Sequence, residues 1–275
     1  MKKAIVLTGI LTLATGFAAS ADDRTQEFEE KHKACLEQIA VNAELAYEEA
    51  MIWRDDGGGR RARHCEAMAL FALGHKEQAA HRLDQLGGMI GQLSPQMRKN
   101  YFLEAANFWL MSGETMQAYE SASSGLKIDE QDVGLRIARA RVYALLGRYE
   151  DAETDLTSAL EFEPEHPDAL RYRADARHKL GKLEEAKIDI DKAMISKVGV
   201  ETALIRGNIV EALRVKALKD TEEEPTILMP APEESENAPT LSGHEFLSVP
   251  PTEDAVTIGD MEKDLIVPKF SDEDE

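Results

Sequence analysis

The residues best suited to covalent or metal chemistry are Cys35 and Cys65, the only two cysteines, thirty positions apart. The chain opens as an exported one would. Lys2 and Lys3 form a positive start, Ala4 to Phe17 is uncharged, and Ala19-Ser20-Ala21 is a small-residue processing site, so the mature protein is expected to begin at Asp22, in the periplasm. An uncleaved inner-membrane anchor is the alternative. Export and an even cysteine count invite a disulfide, whose closed loop would contribute roughly 3 to 4 kcal/mol. Two buried free thiols are the other reading. A metal site drawn from Cys35, His64, Cys65, His75 and His81 finds no support in spacing, because neither C-x-x-C nor H-E-x-x-H occurs, and no cofactor is expected. Gly57-Gly58-Gly59 precedes a helix start that would suit an anion, but a plain turn explains it. No nucleophile elbow, phosphate loop or dinucleotide motif is present, so no catalytic residue is assigned and the chain is read as a non-enzyme.

What positions these residues is a repeat. Gly113, Gly147 and Gly181 recur every 34 residues, as do Ala106, Ala140 and Ala174; Ala118, Ala152 and Ala186; Ala122, Leu156 and Ile190; and Gly125, Ala159 and Ala193. Each unit reads as two antiparallel helices joined at the glycine, with alanines where the helices approach most closely and Tyr143, Tyr149 and Leu156 filling the space beside them. Pro164 stops a second helix. Arg139 and Asp155 lie sixteen apart, and Arg173 and Asp189 repeat that spacing one unit later.

The run Ala140, Tyr143, Gly147, Tyr149, Ala152, Leu156, Ala159 and Pro164 resembles the tetratricopeptide repeat family. The next unit departs from the pattern at Arg177 and Leu183, where aromatics are usual, and lacks the closing Pro; the preceding one has Trp109 but Glu130 in place of that Pro. The resemblance implies an all-α, right-handed superhelical solenoid, with Arg139 paired to Asp155 and Arg173 to Asp189 between helices. It extends to exported bacterial repeat proteins with an early Cys, a Gly-rich turn and the helix start Ala62-Arg63-His64-Cys65. It also implies a partner groove lined by first helices, where the matching position is Met68, Asn107, Arg141, Asp175 and Asn208. Asn107 and Arg141 would suit an extended peptide. Leu103 and Asp168 stand where the carboxylate-clamp pattern of chaperone-binding relatives has Lys.

The expected organisation is therefore a signal at 1–21, a degenerate helix pair at 22–59, and a solenoid at 60–219. The solenoid divides into units near 60–98, 99–132, 133–166 and 167–200 and a capping helix at 201–219. From Asp220 to Glu275 seventeen acidic residues face only Lys263 and Lys269, and seven of the ten prolines fall there, so 220–275 is expected to be a disordered acidic tail. The formal charge of −20 argues against binding nucleic acid, and no membrane insertion is expected after signal cleavage. These features together suggest a scaffold or adaptor of the bacterial envelope that binds a protein or peptide. A structural or assembly subunit of a larger envelope complex is the second reading.

Overall fold

Glycine placement decides where the helices turn. The computed structural model describes residues 16–196 and 199–223, with side chains described within 25–196 and 199–221. Gly74, Gly113, Gly147 and Gly181 take φ of 85°, 84°, 72° and 75°, a left-handed conformation that side-chain-bearing residues resist. At each one the following amide reaches back across the turn: His75 N–H donates to the Leu70 carbonyl, Glu114 to Trp109, Arg148 to Tyr143 and Lys182 to Arg177, all at 2.9 Å. This bond satisfies a carbonyl that the helix end would leave orphaned.

First helices start differently. The side chains of Ser94, Asp132 and His166 accept from the amides of Met97, Leu135 and Ala169, with Pro95 and Pro167 at the first helical positions. Among the described residues this punctuation yields eleven helices and no strand: α1 (Gly16–Val41), α2 (Ala43–Asp55), α3 (Gly59–Ala72), α4 (Lys76–Gly87), α5 (Pro95–Ser112), α6 (Thr115–Leu126), α7 (Val133–Leu145), α8 (Tyr149–Phe162), α9 (Pro167–Lys179), α10 (Leu183–Ser196) and α11 (Val200–Glu223). Consecutive helices pack in pairs, giving an all-α solenoid.

The interval from Gly74 to Gly113 is 39 residues where the later ones are 34, and the surplus lies in a helix begun by the start signal Ser94-Pro95, so α5 spans 18 residues where α7 and α9 span 13. Two boundaries differ from the sequence expectation. Gly59 belongs to α3, not to the turn before it. The capping helix runs from Val200 to Glu223, past Lys219, because the acidic run Asp220-Thr221-Glu222-Glu223 changes charge without breaking a helix, and the first proline is Pro225. The rest of the acidic tail and most of the signal lie outside the described residues; α1 begins at Gly16 and runs through Ala21-Asp22. The chain divides into two units, Met1–Pro225 and Thr226–Glu275, and the described residues all belong to the first.

The core follows the small residues. Ala106, Ala118, Ala140, Ala152, Ala159, Ala174, Ala186 and Ala193 are all at most 1% exposed, so adjacent helices meet with almost no side chain between them. Gly125 is tighter still, since a methyl group there would lie 2.6 Å from Leu135. Leu83, Leu135, Leu156, Ile190 and Ile209 fill the spaces beside these contacts.

Candidate functional site: the first-helix face and the ion pairs behind it

Positions one residue beyond the periodic small residue (Ala67, Ala106, Ala140, Ala174 and Gly207) fall on the same face of successive first helices: Met68 on α3, Asn107 on α5, Arg141 on α7, Asp175 on α9 and Asn208 on α11. The first four are half-buried and Asn208 is exposed. Two of them meet. The Arg141 guanidinium donates to Asn107 Oδ1 at 3.1 Å and lies 5.6 Å from the ring of Tyr172 on α9. Arg141 thus ties three consecutive first helices together while most of its five donors remain for another acceptor. Asp175 lies beyond ion-pair distance of Arg141. Leu145, on the same helix, is 65% exposed. The face combines hydrogen-bonding groups with apolar surface, which suits holding a chain segment.

Behind the face, charge is paired across the helix pairs. Arg139 donates twice to Asp155 at 2.7 Å, and Arg173 twice to Asp189 at 2.8 Å. Asp155 is 4% exposed and Asp189 1%, so these are interior bonds. Arg177, out of pattern by resemblance, has an evident role: it donates to Asp189 at 2.8 Å and to Glu153 at 2.9 Å, joining α8, α9 and α10. Earlier in the stack, Asp84 on α4 accepts from both Trp109 on α5 and Ser121 on α6 at 2.7 Å, and its burial pushes its carboxyl above the usual range.

Cys35 on α1 and Cys65 on α3 are bridged, with Cα atoms 6.3 Å apart. Beside the bridge runs a polar chain that spacing did not disclose. Glu104 Oε2 on α5 lies 3.0 Å from His64 Nε2, and His64 Nδ1 lies 2.9 Å from His32 Nε2 on α1. The simplest proton arrangement has His32 Nε2–H donating to His64, and His64 Nε2–H donating to Glu104. Burial, then the neighbouring His64, lower the His32 pKa to about 4.

A second cluster also went unread. Glu66 on α3 is 1% exposed and is held by Arg54 of α2 at 2.9 Å and Arg82 of α4 at 3.3 Å. A signal was available in hindsight. Glu66 and Arg82 are sixteen apart and occupy the register of Arg139–Asp155 with the signs exchanged. Among the described residues, no three His, Cys, Asp or Glu side chains gather in a way that could hold a metal ion, and no helix is long and apolar enough to cross a membrane.

No protein-family profile matches this sequence, and no curated protein sequence matches it. Solved structures do. The chain is similar to a double mutant of MamA from RS-1, with TM-score 0.52 and 14% identity over 62% of this chain and 93% of that one. It is similar to a thermophilic tetratricopeptide repeat protein of Thermus thermophilus, TTC0263, with TM-score 0.48 and 19% identity over 68% and 99%. It also matches the second tetratricopeptide domain of human RPAP3, solved with the HSP70 peptide SGPTIEEVD, with TM-score 0.40 and 27% identity over 42% and 98%. The chain has a tetratricopeptide-like fold.

Proposed function

We propose that this protein is an exported, non-enzymatic scaffold that holds a protein or peptide segment against its first-helix face, with Arg141 as the central contact. The observation that carries this reading is the position of Arg141. It sits half-buried between Asn107 and Tyr172, is fixed by both, and has donors to spare. A side chain so placed can donate to a peptide carbonyl or carboxylate at little cost in ordering. The apolar Leu145 offers an adjacent seat for a side chain. The basic start, uncharged run and Ala19-Ser20-Ala21 site support release into the periplasm after Ala21.

A hydrogen bond to a charged group contributes about 1.5 to 3 kcal/mol, roughly ten- to hundredfold in affinity. The test is photo-crosslinked capture from an envelope fraction, with full-length protein as bait. Arg141→Glu should lower recovery of the captured protein at least about tenfold. Arg148→Glu, at a site 53% exposed beyond the Gly147 turn, should leave it unchanged. Equal recovery with Arg141→Glu and wild type refutes the assignment.

A structural-subunit role is favoured by one feature, the last described helix, α11. Leu204 is 63% exposed, Leu218 52% and Val215 39%, an apolar surface where a further helix pair or another chain would stack. Stoichiometric co-purification lost on Leu204→Glu, with Arg141→Glu silent, would establish that role instead.

A further inference from the structure

We propose that the arginine-lined pocket between α2, α3 and α4 is a binding site for a hydrogen phosphate group, free or as a monoester. The pocket has a volume of about 330 Å³ and is lined by Arg54, Arg63, Glu66, Arg82, Gln85 and Leu86. A water's share of liquid volume is about 30 Å³, so there is room for a polyatomic anion and a small substituent. The site is separate from the first-helix face. Glu66 is two residues from Met68, which places them on nearly opposite sides of α3, and α2 and α4 are second helices.

Three guanidiniums converge here in a chain whose formal charge is −20. Arg54 is shared between Glu66 at 2.9 Å and Asp55 at 3.0 Å, and the Asp55 side chain is 71% exposed. Arg82 is 3.3 Å from Glu66 with its side chain 43% exposed. Arg63 has no carboxylate partner among the described residues; its guanidinium reaches only the Met89 sulfur, at 4.0 Å. Donors of Arg63 and Arg82 therefore remain for an anion. The reversed charge order described above is what creates this excess: a unit with Arg on the first helix and Asp on the second encloses its charge, whereas Glu66 draws arginines from both flanking helices.

A second observation selects the anion. Glu66 Oε1 is buried and accepts no hydrogen bond, its contact with Arg82 being an ion pair without hydrogen-bond geometry. The ligand that completes the site must accept from arginines and donate to a carboxylate. An ionised carboxylate or a sulfate can only accept. A phosphate that retains a proton does both: its P–OH donates to Glu66 Oε1 while its other oxygens accept from Arg63 and Arg82. Burial makes that selection strong, because an anion without the proton would place its lone pairs against those of Glu66.

The experiment is titration calorimetry on the full chain with inorganic phosphate, sulfate and N-acetyl-O-phosphoserine. Wild type should bind inorganic phosphate at least about tenfold more tightly than sulfate at pH 7. Arg63→Ala, at an exposed position that holds no other helix in place, should weaken phosphate about tenfold or more. Glu66→Gln should erase the preference over sulfate. The two sources separate by pH, because inorganic phosphate still carries a proton at pH 8 whereas a monoester loses its last one near about pH 6. A monoester site shows tight binding of the phosphoserine derivative at pH 5.5 that is lost at pH 8, and a free-phosphate site shows binding of inorganic phosphate alone at both. Equal affinity for phosphate and sulfate in wild type, no saturable binding, or an Arg63→Ala protein that binds unchanged each overturns the proposal. If Glu66→Gln does not fold, the sulfate comparison and Arg63→Ala still decide.

Discussion

Replacing Asp189 by Ala should be among the most damaging single changes outside the apolar core. Asp189 is 1% exposed and accepts three hydrogen bonds, two from Arg173 and one from Arg177, all at 2.8 Å. Truncation leaves two largely buried guanidiniums facing a gap, since their side chains are only 15% and 18% exposed. Breaking a buried pair in this way costs about 3 to 5 kcal/mol. The lower half of that range applies, because Arg177 keeps Glu153 at 2.9 Å and Arg173 keeps Thr157 at 3.3 Å. At about 2 to 4 °C per kcal/mol for a chain of this size, the melting midpoint should fall by roughly 6 to 16 °C. Asp191, with its side chain 38% exposed, is the control. Its loss should cost under about 1 kcal/mol despite its contacts with Lys187 and Arg206. The assay is thermal and urea unfolding by circular dichroism, with amide exchange to locate the change in α9 to α11. If Asp189→Ala lowers the midpoint no more than Asp191→Ala, the pairs are solvated decorations and the reasoning fails. Combining Asp189→Ala with Arg173→Met should recover part of the loss, since the cost lies in stranded charge.

Reduction of the Cys35–Cys65 bridge, or Cys35→Ser with Cys65→Ser, should cost about 3 to 4 kcal/mol for a loop of this length, read as a lower urea midpoint in α1 to α3. The His32 pKa is lowered to about 4 from 6.5, so the unfolded chain binds more protons between those values. Stability is fully present above pH 6.5 and declines as the pH falls toward 4, by up to about 3 kcal/mol, and a His32→Gln protein should show a flatter profile over that window. Gly125→Ala should cost about 1 to 3 kcal/mol by overpacking against Leu135. A midpoint unchanged by this substitution would show that α6 and α7 separate freely.

The repeat was legible because turn chemistry and close packing constrain residue type at single positions. A φ of 72° admits Gly147 and little else, and a fully buried crossing admits Ala152, so a 34-residue period survives in these positions. The sixteen-residue Arg–Asp spacing was legible for the same reason. The contacts that escaped lie between helices whose separation follows no period. His32, His64 and Glu104 come from α1, α3 and α5, each at a different repeat position, and nothing in 32 or 40 residues of separation marks them as neighbours. Arg177 was misleading in the other direction. It breaks an aromatic position, yet its stem and guanidinium fill that space while joining Asp189 to Glu153. Helix ends followed prolines and caps more faithfully than charge, as α11 shows by continuing through Asp220 to Glu223.

The bridge between α1 and α3 also gives the stack a polarity of failure. In a solenoid each pair is steadied only by its neighbours, so melting begins at the ends, where neighbours are fewest. Here one end is stapled across two helices, while at the other the last described helix is a single long one with Leu204 and Leu218 largely uncovered. Heat, denaturant or a processive unfoldase would therefore peel the stack from α11 inward, and α1 to α3 would be the last structure standing. Such a molecule behaves as a zipper with a stop at one end. A partner docked near α11 would govern its lifetime, and one docked near the bridge would hardly matter to it.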